Sequence, residues 1–160
     1  MSINDRISAL GIQIPISNQP VGAFTYLPFG KIGNLVYVSG QLPKKESVNG
    51  TVNIVKGKVG RDVSAAEATE AARQCGVCIL SVVRDACDGD LDRVCAVVKV
   101  DGFVNSVDSF VDHPQVINGC SDLFVDVFGP AIGSHARAAV GCSSLPLGVP
   151  VEISAIFQLS

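Results

Sequence analysis

The stretch VCAVVKVDGFV, Val94–Val104, is apolar at nearly every position. A strand with one face in water alternates apolar and polar residues, whereas so little alternation marks a strand covered on both faces. Strict alternation puts Val94, Ala96, Val98 and Val100 on one face and Cys95, Val97 and Lys99 on the other. The flanking segments read as helices that supply one cover. Upstream, Ser64-Ala-Ala-Glu67 is a capping box, its hydroxyl meeting the amide of Glu67 and its glutamate returning to the cap amide. Ala68, Ala71, Cys75, Cys78, Val82 and Ala86 then recur at helical spacing until Asp88-Gly89. Downstream, Asp112-His113-Pro114 opens a second helix, with proline suited to its first turn. Ile117, Cys120, Phe124 and Phe128 form its apolar stripe, and Gly129 stops it.

The remaining elements are shorter. Residues 1–11 suggest a helix with Ile3, Ile7 and Leu10 on one face, followed by a loop from Ile12 to Pro20. Gly22 to Gly40 reads as two strands, Phe24, Tyr26 and Phe29 in the first and Leu35 to Ser39 the second, joined by a tight turn at Gly33-Asn34. Pro43 to Gly50 reads as a solvated loop, and a short third strand covers Ile54 to Lys58. Ala138–Cys142 and Val151–Leu159 are the last two strands. The order βββαβαββ predicts an α+β fold, a mixed sheet with two helices on one face. The other face then needs a second subunit. The expected organisation is an N-terminal extension, residues 1–21, and one domain, residues 22–160.

Composition narrows the function. With 48% hydrophobic and only 17% charged residues, the chain is excluded from the disordered class. A net charge of −3 gives no support for sequence-independent nucleic-acid binding, which rests on clustered Lys and Arg. No apolar run is long enough for a membrane span, and the N-terminus does not read as a secretory signal. A soluble intracellular location is expected, the cytosol first, with an organelle left open. Six cysteines without a signal argue for reduced thiols. Cys75-Gly-Val-Cys78 falls deep in a helical pattern with no second pair, so it and Cys87, Cys95, Cys120 and Cys142 read as buried structural thiols, not a zinc or redox site.

One arrangement stands out chemically. Arg137 begins a strand in small, apolar surroundings, and its planar fork suits a bidentate carboxylate clamp. Glu152 lies on the last strand, alternating with Ser154, Ile156 and Gln158 away from Val151, Ile153, Ala155 and Phe157. A hairpin of these two strands would bring Arg137 and Glu152 together, either as a structural ion pair or as a site. His113 and His135 have no further ligands at metal spacing and read as bystanders, although His135, next but one to Arg137, could line the same pocket; Asp122 and Asp126 read as a solvated helix face. Neither a P-loop nor a G-x-S-x-G elbow is present.

Several motifs together resemble the Rid family, the YjgF-type reactive intermediate deaminases. They are Gly33-Asn-Leu-Val-Tyr-Val-Ser39-Gly40-Gln41-Leu-Pro43, Asn118-Gly-Cys-Ser-Asp-Leu to Gly129, His135-Ala-Arg137-Ala-Ala-Val140-Gly, Leu145-Pro-Leu-Gly-Val149 and Val151-Glu152-Ile153. The resemblance runs from about Gly22 to the C-terminus. It implies a chorismate-mutase-like fold, a homotrimer with clefts between subunits, and hydrolysis of enamines and imines such as 2-aminoacrylate to 2-keto acids and ammonia, with no cofactor and no metal. It further implies that Arg137 clamps the substrate carboxylate and that Glu152 orients or activates water. Ser39 and Gly40 would touch substrate, Asn118 would stand near the cleft and Phe24 would form its wall. The chain departs from the family pattern at Phe24, often tyrosine, at Ala139, often cysteine, and at Ser154, often an acid. The alternatives are a non-catalytic small-carboxylate-binding or regulatory module, and an endoribonuclease or translation inhibitor, as relatives are labelled. A nuclease should carry an acid–base pair in a cationic groove or a metal site.

Overall fold

The computed structural model of the chain describes residues 1–16, 25–47 and 49–160. Phe24, expected in a strand and at a cleft wall, lies outside the described residues.

Helix α1 (Ile3–Ala9) begins with a capping box between Ser2 and Asp5 and buries Ile3 and Ile7. Strands β1 (Phe29–Ile32) and β2 (Leu35–Gln41) form the expected hairpin, with Tyr26 ahead of it and exposed. Helix α2 (Ala65–Ala86) starts at the Ser64/Glu67 capping box. Strand β5 (Val94–Asn105) leads to α3 (His113–Phe128), which stops at Gly129. Before α2 come β3 (Lys44–Glu46) and β4 (Val52–Ile54); after α3 come a short α4 (Pro130–Gly133), β6 (Ala136–Cys142) and β7 (Val151–Leu159).

The main sheet has the order β1-β2-β7-β5-β6, with β5 and β6 parallel and the other neighbours antiparallel. Helices α2 and α3 pack on each other and on one sheet face. Ile79, Leu80, Ile117, Leu123 and Phe124 meet Ile153 and Phe157 there, all fully buried. Strand β7 shows the alternation read from its sequence: Val151, Ile153, Ala155, Phe157 and Leu159 are buried, and Glu152, Ser154, Ile156 and Gln158 half-buried. The other face carries Tyr37, Phe103 and Val140, 46%, 38% and 47% exposed in the protomer.

Three expectations are corrected. Strand β5 has two register shifts, at Val94/Ala96 and at Val97/Lys99. Each inserts a residue and reverses the parity. Val94, Val97, Val100, Gly102 and Val104 are therefore the buried set, and Val98 is 38% exposed. Second, the solvated loop from Pro43 contains β3, paired with β4 in a separate two-stranded ladder. Lys44, Lys45 and Glu46 are all exposed, so no apolar alternation announces the strand. The third strand lies at Val52–Ile54, while Lys58 anchors the following segment through its Nζ to Asn105 Oδ1 (2.6 Å) and the Ser143 carbonyl (2.7 Å). Third, Cys95 is exposed and Cys142 half-buried, unlike the buried Cys75, Cys78, Cys87 and Cys120. Burial pushes the thiols of Cys75, Cys78 and Cys120 up, which keeps them protonated and unreactive. Among the described residues no helix is long and apolar enough to cross a membrane.

Candidate functional site

Arg137 lies on β6, the edge of the sheet. Its register with Val100, itself opposite Ala155, turns the half-buried side chain toward the helices. There Nη1 donates to Asn118 Oδ1 (2.7 Å) and to Ser121 Oγ (3.1 Å). Asn118 and Ser121 are three apart on α3 and share its surface. Both hydrogens of Nη1 are thus used. Nε and Nη2 have no partner among the described residues. Of the two forks a guanidinium can offer a carboxylate, the side-on Nε/Nη2 edge is left. No carboxylate pairs with Arg137 among the described residues, so the structural ion pair is not formed.

The hydrogen bonds continue beyond Ser121. His135 Nε2 meets Ser121 Oγ at 2.9 Å, and its Nδ1 meets the Gly133 carbonyl at 2.6 Å. A carbonyl only accepts, so Nδ1 carries a proton, and in the neutral imidazole Nε2 then accepts from the serine hydroxyl. The sequence alone reads His135 as a bystander and does not single out Ser121. The signals present in it are the position of His135 next but one to Arg137, just ahead of β6, and the three-residue spacing of Asn118 and Ser121.

Glu152 lies elsewhere. Strands β6 and β7 do not form a hairpin, because β5 runs between them. Glu152 stands opposite Phe103, which stands opposite Val140, on the face turned away from the helices. Arg137 and Glu152 of one protomer therefore project from opposite sides of the sheet. Gly40 does accompany Glu152: a Cβ at Gly40 would collide with the carboxylate. A register shift between Val38 and Gln41 accommodates this approach. Ser39 donates its hydroxyl to the Leu27 carbonyl at 2.6 Å. The predicted residues thus form two halves, Arg137 with Asn118 and Glu152 with Gly40. Ser154 stands opposite Asp101, which is paired with Lys99 at 3.2 Å.

Partial burial pushes the Glu152 carboxyl above its ordinary value. A carboxyl tuned upward is better suited to exchange a proton near neutrality. It also weakens the fold: the folded state holds the proton more tightly than the unfolded chain, so stability is lost as pH rises through the raised pKa. Glu152→Gln is therefore expected to melt at or slightly above the wild-type temperature at pH 8. The gain should vanish at pH 4, where both side chains are neutral. A lower melting temperature at pH 8 would mean that the ionised carboxylate has a stabilising partner.

Two cavities, about 380 and 450 Å³, flank the β3–β4 ladder, and neither is lined by Arg137 or Glu152.

Comparison with known proteins agrees with this architecture. Residues 4–157 match the family described as "YjgF/chorismate mutase-like, putative endoribonuclease". Protein TCP17 of Trypanosoma cruzi is 42% identical over 155 residues, covering 97% of this chain and 92% of that protein. Protein HMF1 of Saccharomyces cerevisiae is 30% identical over 139 residues, 86% of each. The crystal structure of Atu1372 from Agrobacterium tumefaciens, a protein of unknown function, superposes with a TM-score of 0.85 at 46% identity, over 99% of this chain and 94% of that one. With this fold and a family match that runs from α1 into β7, the chain belongs to the YjgF/chorismate-mutase-like family, the Rid family.

Proposed function

We propose that the protein hydrolyses reactive 2-enamino and 2-imino acids to 2-keto acids and ammonia, as a homotrimer with clefts between subunits. The observation that carries the reading is the free edge of Arg137: a fixed guanidinium with neutral partners and no counter-charge among the described residues. Such a group is satisfied by an anion from outside, and the side-on fork matches a carboxylate. The cleft joins the Arg137 half of one subunit to the Glu152 half of another. Two features support this: the halves lie on opposite sheet faces, and the Glu152 face exposes Tyr37, Phe103 and Val140 in the protomer.

In such a cleft the carboxylate is held and the imine carbon fixed for attack. The enamine first tautomerises to the imine. Glu152 then takes a proton from water as the C–O bond forms on the protonated imine, giving a carbinolamine, and returns that proton to nitrogen. As the C–N bond breaks and ammonia leaves, the carbinol hydroxyl gives its own proton to Glu152 and becomes the ketone. Keto acid and ammonia leave, and no redox partner is required. Ser39, Gly40 and Asn118 would bound the substrate.

The test is keto-acid release from 2-aminoacrylate generated by a dehydratase, with and without the protein. Faster release is expected, and identical traces would overturn the reading. Binding of 2-keto acids without acceleration would favour the carboxylate-binding module, which the departures at Ala139 and Ser154 make the second reading. Digestion of labelled RNA in parallel tests the nuclease named in the family description. Sedimentation should give three times the protomer mass, and a stable monomer would remove the shared cleft.

A further inference from the structure

We propose that Ser121 and His135 are positioning residues that fix which edge of Arg137 is offered to the substrate carboxylate. The inference rests on the carboxylate-binding reading of Arg137 but not on turnover. Every link runs one way: Arg137 Nη1 donates to Ser121 Oγ, Ser121 donates to His135 Nε2, and His135 Nδ1 donates to the Gly133 carbonyl. The end of the chain is rigid. Gly133 is buried, and the imidazole is held edge-on to the buried Phe124 ring, centroids 6.2 Å apart. With its hydrogen committed to Nε2, the serine hydroxyl presents lone pairs, not its proton, to the guanidinium. Asn118 takes the other Nη1 hydrogen. Rotation of the guanidinium is thereby opposed, and Nε with Nη2 is left as the unpaired edge.

Loss of either residue should loosen the clamp without removing its charge. Ser121→Ala deletes an acceptor of Nη1. His135→Leu removes the group that orients the hydroxyl. Each is expected to weaken binding of 2-ketobutyrate, measured by calorimetric titration, by roughly tenfold, the effect of one charge-assisted hydrogen bond at the lower end of its range. Ser121→Thr keeps the hydroxyl and should bind within about threefold of wild type by the same measure. Binding of 2-ketobutyramide, which lacks the charge, should be the same in all these proteins. That control separates positioning of the clamp from general damage to α3, which would weaken both ligands.

The proposal is overturned if Ser121→Ala and His135→Leu bind 2-ketobutyrate like wild type while Arg137→Ala does not, or if the amide loses affinity in step with the acid. If Arg137→Ala itself binds the acid as wild type does, the carboxylate reading falls and the proposal with it. If the acid binds as expected but no imine is hydrolysed, the positioning role stands and the deaminase reading falls.

Discussion

Arg137→Ala is expected to abolish acceleration of keto-acid release. One charge-assisted hydrogen bond contributes about 1.5–3 kcal/mol, and the side-on fork supplies two. Both also orient the imine carbon, and misplacement of a reacting centre by about 1 Å can by itself lower rates a hundredfold. The expected loss in kcat/KM is therefore two orders of magnitude or more, falling on kcat as well as KM. Arg137→Lys should recover little of it. An ammonium is a point charge without a planar fork, and one short group cannot engage Asn118 and Ser121 while presenting two parallel donors outward. Steady-state kinetics on both variants decide the matter. A lysine variant near wild-type activity would mean that charge alone suffices and the fork has no role.

Gly119→Ala is the substitution expected to damage the fold most. Gly119 sits on α3 where it crosses α2, and a Cβ there would collide with the Thr69 carbonyl and press on the Arg73 amide. Both obstacles are backbone inside a helix, so no rotamer change relieves the contact. The helices must part, and the layer around Leu123 and Phe124 loosens with them. Overpacking of this kind costs about 1–3 kcal/mol, and an unyielding backbone puts this case at the upper end. The urea midpoint should fall accordingly, and an unchanged midpoint would show that the crossing is wider than described. Gly119 also lies between Asn118 and Ser121, so a surviving folded fraction should bind keto acids less tightly.

Local signals carry much of the fold. The capping box at Ser64, proline in the first turn of α3 and the alternation along β7 each set an element through its own residues. Where a neighbouring element sets the outcome, the sequence is silent. The bulges of β5 depend on its pairing with β7, and strict alternation therefore misassigns Ala96, Val97 and Val98. Strand β3 is Lys-Lys-Glu throughout and leaves no apolar pattern, and β4 offers only Val52 and Ile54 around one asparagine. The candidate site shows the same division. Arg137 stands out by residue type and Asn118 only through the family motif, and the structure brings them together. Their distance from Glu152 follows from strand order, because β5 is interposed between β6 and β7, and nothing in either strand encodes that. Ser121 is one hydroxyl on the polar flank of a helix and acquires meaning only from what β6 places beside it.

The opposite-face arrangement of Arg137 and Glu152 has a genetic consequence. If every cleft borrows its halves from two chains, Arg137→Ala and Glu152→Gln are recessive defects that can cure each other. Refolded together in equal amounts, the two inactive parents should yield a hybrid population in which about one cleft in four, counted over a randomly assembled closed ring, inherits both intact side chains. Revival on mixing, absent from either parent refolded alone, would be intersubunit complementation read directly from the layout of one sheet.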